Sequence, residues 1–172
     1  MKILLGGIPL GCDNIGDEAI IAGVVKMLRE SIPGVGLTVA TADGATGPLL
    51  GVDVAPPFGF AGCSKAGFAD ALRGHDAYIW CGATGLSDYP HVALDLLEIA
   101  QREGVATYVW GVGMDDELNP VFFDKIRQLM DHTEIFIVMT RRVLGRKTKD
   151  RDSALTVNHH MHFPVQTPAV MG

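Results

Sequence analysis

The chain has 172 residues, 48% of them hydrophobic and 20% charged, which is enough apolar material for one sizeable core and unlike a disordered or fibrous protein. Its formal charge of −6 excludes the basic face that a nucleic-acid surface requires and points to small polar substrates instead. No apolar run reaches membrane-span length, the amino-terminal run is too broken by Gly-Gly and Pro for a signal peptide, and Cys12, Cys63 and Cys81, lacking C-x-x-C spacing, read as reduced thiols of a cytoplasmic protein.

Lys2 to Gly6 is a continuous apolar run, the pattern of a strand buried on both faces. It leads into the stretch Gly6 to Glu18, where Gly6, Gly7, Gly11 and Gly16 with Pro9 and Asn14 predict a strand-to-helix turn whose backbone can take positive φ and approach a ligand. Ile20, Val24, Leu28 and Ile32 then recur at helical spacing, predicting a helix from Asp17 to Ser31 that Asn14 or Asp13 caps and Pro33-Gly34 ends. The free N–H groups at its start favour polar or anionic ligands. Gly7, Gly11 and Gly16 do not meet G-x-G-x-x-G, and Asp17-Glu18 stand where a P-loop needs Lys-Ser/Thr. Two acids there would repel a phosphate and are better suited to accepting hydrogen bonds from hydroxyls. The alternative is a tight turn without a ligand, with Cys12 as a small loop filler rather than a nucleophile.

Leu37 to Thr41 is a second strand, turned away by Asp43-Gly44. The Gly/Pro-rich passage from Gly44 to Gly62 holds at most a short strand at 49–54, and Ser64 to Arg73 reads as a short helix. Asp76 to Cys81 is a third confident strand, emptying into a second glycine turn, Gly82 to Asp88. Val92, Leu96, Ile99 and Ala100 align on a helix from Tyr89 to Glu103, followed by a strand from Val105 to Trp110 that ends in Gly111-Val112-Gly113. A helix aligning Phe122, Ile126, Leu129 and Met130 leads to a last strand at Glu134 to Val138.

Strands and helices that alternate with short turns imply an α/β, Rossmann-like, doubly wound parallel sheet. Such a sheet puts the turns after Gly6, Cys81 and Trp110 on one edge, where ligands bind. The expected ligand-binding residues are therefore Gly11, Asn14, Gly16, Gly82, Thr84, Gly85 and Gly113, with Asp17 as the catalytic candidate that contacts a hydroxyl. Residues 1–138 form this domain. Residues 139–172 hold six of the fourteen basic residues against Asp150 and Asp152 and lack periodicity, so they read as a poorly ordered basic tail. His159, His160 and His162 in that tail have no carboxylate or thiolate beside them to complete a metal site.

Gly11-Cys12-Asp13-Asn14-Ile15-Gly16-Asp17-Glu18-Ala19-Ile20 resembles the opening G-x-x-N-x-G-D-E-A-I of the polysaccharide pyruvyl transferase family. Asp76 to Leu86 is similar to that family's D-x-x-I-x-x-G strand and glycine turn, and Gly111-Val112-Gly113 to its G-x-G strand end. The chain departs from it at Cys81-Gly82-Ala83-Thr84-Gly85, where the family has three or four consecutive glycines. The resemblance covers Met1 to Val138, the amino-terminal half of a glycosyltransferase-B-like architecture. It implies transfer of a pyruvyl group from phosphoenolpyruvate, as donor substrate and without a cofactor, to a sugar or glycan hydroxyl in cell-surface polysaccharide synthesis. It also implies that the residues holding phosphoenolpyruvate belong to a second domain, so the chain is expected to be truncated and inactive alone unless a homo-oligomer rebuilds a cleft. The alternatives are a non-catalytic sugar- or protein-binding remnant and a nucleotide-dependent enzyme with Asp43 reading a ribose.

Overall fold

Six strands pair in the order β3-β2-β1-β4-β5-β6, and every pairing is parallel. The structure, a computed structural model, describes residues 1–43, 46–60, 63–82, 92–114, 120–133 and 135–140. Along the chain, β1 (Lys2–Leu10) is followed by α1 (Ile15–Ser31), β2 (Gly36–Thr41), α2 (Thr46–Leu49) and β3 (Asp53–Ala55). After α3 (Phe68–Leu72) come β4 (Ala77–Cys81), α4 (Val92–Arg102), β5 (Ala106–Met114), α5 (Pro120–Met130) and β6 (Ile135–Thr140). The chain winds outward from β1 to β3, returns to lay β4 on the other side of β1, and winds outward again to β6. The reversal between β1 and β4 is the switch point at which such sheets open a crevice.

Alternation along the strands divides the core in two. Ile3 and Leu5 of β1, Leu37 and Val39 of β2, and Ala77, Ile79 and Cys81 of β4 pack against Ile21, Val24, Val25 and Leu28 of α1. On the opposite face Leu4, Tyr78, Trp80 and Val109 pack against Phe68 and Leu72 of α3, Leu94, Leu97 and Ala100 of α4, and Ile126 and Leu129 of α5. Phe68 meets Tyr78 edge-on at 5.1 Å between ring centroids.

Several boundaries differ from the sequence expectation, among them α3, which starts at Phe68 rather than Ser64, and β6, which runs past 138 to Thr140. β1 does not end at Gly6 but continues to Leu10, so Gly6 and Gly7 belong to a strand rather than a turn. Their reason is packing: the Tyr78 ring lies where a Gly6 Cβ would be, and at Gly7, with φ +117°, a Cβ would meet the Cys81 carbonyl. The ladder to β2 shifts between Leu5 and Leu10, so β1 bulges as it reaches its carboxyl end. β5 likewise continues past Trp110 to Met114, its ladder to β6 shifting around Gly111, which has φ +64°. The passage 44–62 also holds more order than expected, with α2 and a strand at Asp53–Ala55. The basic residues from Arg141 onward lie outside the described residues.

Candidate active site at the carboxyl edge of the sheet

The first turn lies between Leu10 and Ile15. Gly11 takes φ +75°, and a Cβ on it would run into the Asp43 carboxylate, whose Oδ1 and Oδ2 would both be 2.6 Å away. Its N–H donates to Glu18 Oε1 at 3.1 Å, so Glu18 reaches back and fastens the turn to α1. Asp13 follows at φ +62°, a left-handed conformation that Asp tolerates better than most residues. Asn14 caps the helix: its Oδ1 accepts from the N–H of Gly16 at 3.2 Å and of Asp17 at 3.5 Å. The sequence offered Asn14 both as cap and as ligand contact, and the geometry employs its oxygen as cap.

Gly16 is different from Gly11. It is exposed, has no positive φ, and a Cβ there would meet only Asn14 Oδ1, at 3.5 Å. The fold makes no demand for glycine at that position. Beside it Asp17 is buried, 9% exposed, on the core-facing line of α1 one turn above Ile21. Its carboxyl has no hydrogen-bond or ion-pair partner among the described residues, and burial pushes its pKa upward.

The second turn begins at Gly82, with φ +80° and its N–H donating to the Trp110 carbonyl at 3.2 Å. A Cβ there would be in ordinary contact with Ile20, so the left-handed backbone, not lack of space, explains this glycine. Thr84 and Gly85 lie outside the described residues. The Cys81 thiol is buried, donates weakly to the Gly6 carbonyl at 3.5 Å, and is pushed up to about 12 by burial, so it is not a nucleophile near neutral pH. Gly113, expected in a third turn, instead lies within β5, paired with Met139 of β6. The third turn starts only after Met114.

Because the sheet is parallel throughout, these turns do share its carboxyl edge. Residues 11–14, 82–91 and 115–119, which connect β1, β4 and β5 to their helices, contain no Lys or Arg and include Asp13, Asp88, Asp115, Asp116 and Glu117. Asp43, which follows β2, accepts from Thr46 N–H at 3.1 Å and Thr46 Oγ1 at 2.9 Å. Closing the first turn of α2 explains it without a ribose. Among the described residues no group of three or more His, Cys, Asp or Glu is placed to hold a metal ion. None of their helices is long and apolar enough to cross a membrane. The acids in these segments are of a residue type that accepts hydrogen bonds from hydroxyls.

What the sequence reading missed is the state of Asp17. Its identity and place on the helix were legible, but its lack of a partner among the described residues was not. No curated protein matches the chain. A family model for polysaccharide pyruvyl transferase matches residues 14–141, starting at the cap Asn14 and ending just past β6, so that it spans the edge and most of the sheet behind it. With more than half of its length matched, the chain belongs to the polysaccharide pyruvyl transferase family.

Proposed function

We propose that this protein takes part in transferring the pyruvyl unit of phosphoenolpyruvate to a sugar hydroxyl, and that its carboxyl edge is the acceptor side of that reaction. The observation that carries the reading is the charge of the edge. Phosphoenolpyruvate is a small, densely anionic molecule that needs cations. The three connecting segments contain no Lys or Arg, and among the described residues Lys65 and Lys125 are already bound to Asp95. A pyranose presents hydroxyl donors and no charge, which suits carboxylates and backbone carbonyls. Cys12, Cys63 and Cys81 are all free, which fits a reducing compartment, and we place the protein in the cytoplasm.

Calorimetric titration of the purified chain with neutral methyl pyranosides and, separately, with phosphoenolpyruvate tests the reading. Pyranoside binding that protects the 11–18 segment from hydrogen exchange is the expected result. Phosphoenolpyruvate or a nicotinamide or sugar nucleotide protecting that segment while pyranosides do not would overturn it.

A further inference from the structure

A largely buried acid with no bonding partner among the described residues is a candidate for bonding to a ligand. Asp17 occupies a core-line position where an apolar residue would add to the packing of Ile21, Val24, Val25 and Leu28. Instead an acid stands there, the residue 9% exposed, with no hydrogen-bond or ion-pair partner among the described residues. Burying a polar group without a hydrogen bond costs stability. The helix dipole returns only part of that cost. The neighbouring acids are employed: Glu18 holds the Gly11 N–H, and Asp43 holds Thr46. Gly16, which no internal contact or backbone angle requires, leaves the approach to Asp17 without a side chain. Among the described residues the ionisable groups around the turn are Cys12, Asp13 and Glu18 from the same segment, Asp43 from beyond β2 and Cys81 from the end of β4, none of them cationic.

We propose that the Asp17 carboxylate, reached past Gly16, is the group that binds the acceptor hydroxyl. This rests on the reading of the carboxyl edge as the acceptor side. The ionised carboxylate accepts from one hydroxyl, or from two adjacent hydroxyls of a diol, and the bond is charge-assisted in a site already largely withdrawn from water. Protonation removes that acceptor strength, so sugar binding follows the ionisation of Asp17.

The experiment titrates methyl β-D-galactopyranoside and methyl α-D-mannopyranoside into the full chain from pH 5 to 8, for the wild type, Asp17→Asn and Gly16→Val, with a thermal melt of each. The wild type is expected to bind at least one pyranoside more tightly as pH rises. Asp17→Asn is expected to bind about tenfold more weakly, without that pH dependence, while melting no lower than the wild type. Gly16→Val should weaken binding and keep a cooperative melt. Equal binding by the wild type and Asp17→Asn overturns the assignment while leaving the acceptor-side reading intact. A lower melting temperature for Asp17→Asn with unchanged binding overturns it too, by showing a structural role. If the wild type binds neither pyranoside, the acceptor-side reading fails and the assignment falls with it.

Discussion

Asp17 and Asp95 each stand in the first turn of a helix that leaves the carboxyl edge, yet the molecule treats them in opposite ways. Asp95, on α4, receives the ammonium groups of Lys125 at 2.8 Å and of Lys65, and Lys125 also reaches Glu98 at 3.1 Å. Burial works to raise the Asp95 carboxyl, but the hydrogen bonds from Lys125 and Lys65 and their charges outweigh it and hold it below the usual carboxylate range. Burial likewise works to lower Lys125, and its bonds to Asp95 and Glu98 carry it above the usual ammonium range. One carboxylate thus ties the approach to α3, α4 and α5 together across the helical face. The other, Asp17, has no such partner among the described residues, and burial raises it. Proximity to a helix start therefore does not decide what an acid is for; its partners do.

The comparison breaks first if the edge depends on Asp17 for its shape. The geometry instead assigns that task to Gly11, with Glu18 and Asp43 on either side. Gly11→Val must leave φ +75° or strain it, and drives a side chain into the Asp43 carboxylate. We expect a loss of about 2–4 kcal/mol in denaturant unfolding, the largest effect of any change in this turn. A loss below about 1 kcal/mol would mean that the turn is not built as described.

Asp95→Asn comes next, with an expected loss of about 1 kcal/mol at pH 7, discounted because the three partners are all partly exposed. The sign with pH follows from the shifts. A depressed carboxyl contributes stability above its unfolded value near 4 that is lost as pH falls through the lower folded value. A raised ammonium contributes below its unfolded value near 10 and is lost as pH rises through the folded one. The stability difference between wild type and Asp95→Asn should therefore be flat from about pH 5 to 9 and shrink in acid. Asp17→Asn should behave in the opposite sense. A raised carboxyl favours folding while it is protonated and loses that benefit as pH rises through its folded value. The variant should thus match the wild type in acid and equal or exceed it by up to about 1 kcal/mol at neutral pH. Parallel pH profiles for the two variants would erase the contrast.

Element order and the parallel sheet were legible because they follow from local pattern: short apolar runs for strands, a 3.6-residue period for α1, α4 and α5, and glycine or proline between them. The strand ends were not, because they follow from contacts between distant residues. Nothing near Gly6 and Gly7 says that the Tyr78 ring and the Cys81 carbonyl, more than seventy residues away, will occupy the space a side chain would need. The same holds at the edge. Gly11 and Gly16 look equivalent in the sequence, and the φ of +75° at Gly11 and Asp43, brought in by β2, distinguish a glycine the fold requires from one it does not. Asn14 was legible as a cap because capping is a local bond. That Asp95 is doubly paired depended on Lys65 and Lys125, thirty residues to either side of it.

Tyr78 sharpens the comparison with the smallest expected effect. Its hydroxyl is buried against Gly6 and has no hydrogen-bond partner among the described residues, and burial pushes its pKa far up, with the neighbouring Cys81 adding to the rise. Like Asp17 it has no bonding partner among the described residues, but it belongs to the core on the face opposite α1 and its oxygen is shut off from solvent. Its ring explains its presence: it fills the space left by Gly6 and meets Phe68 edge-on. Tyr78→Phe keeps that ring and removes only the unpaired oxygen, so stability should change by less than about 0.5 kcal/mol or rise slightly, and pyranoside binding should not move. A loss of more than about 1 kcal/mol would show that the hydroxyl is bonded in solution. Lost sugar binding with an unchanged melt would instead place Tyr78 with Asp17 in the site and remove the distinction between a polar group kept for its ring and one kept for its charge.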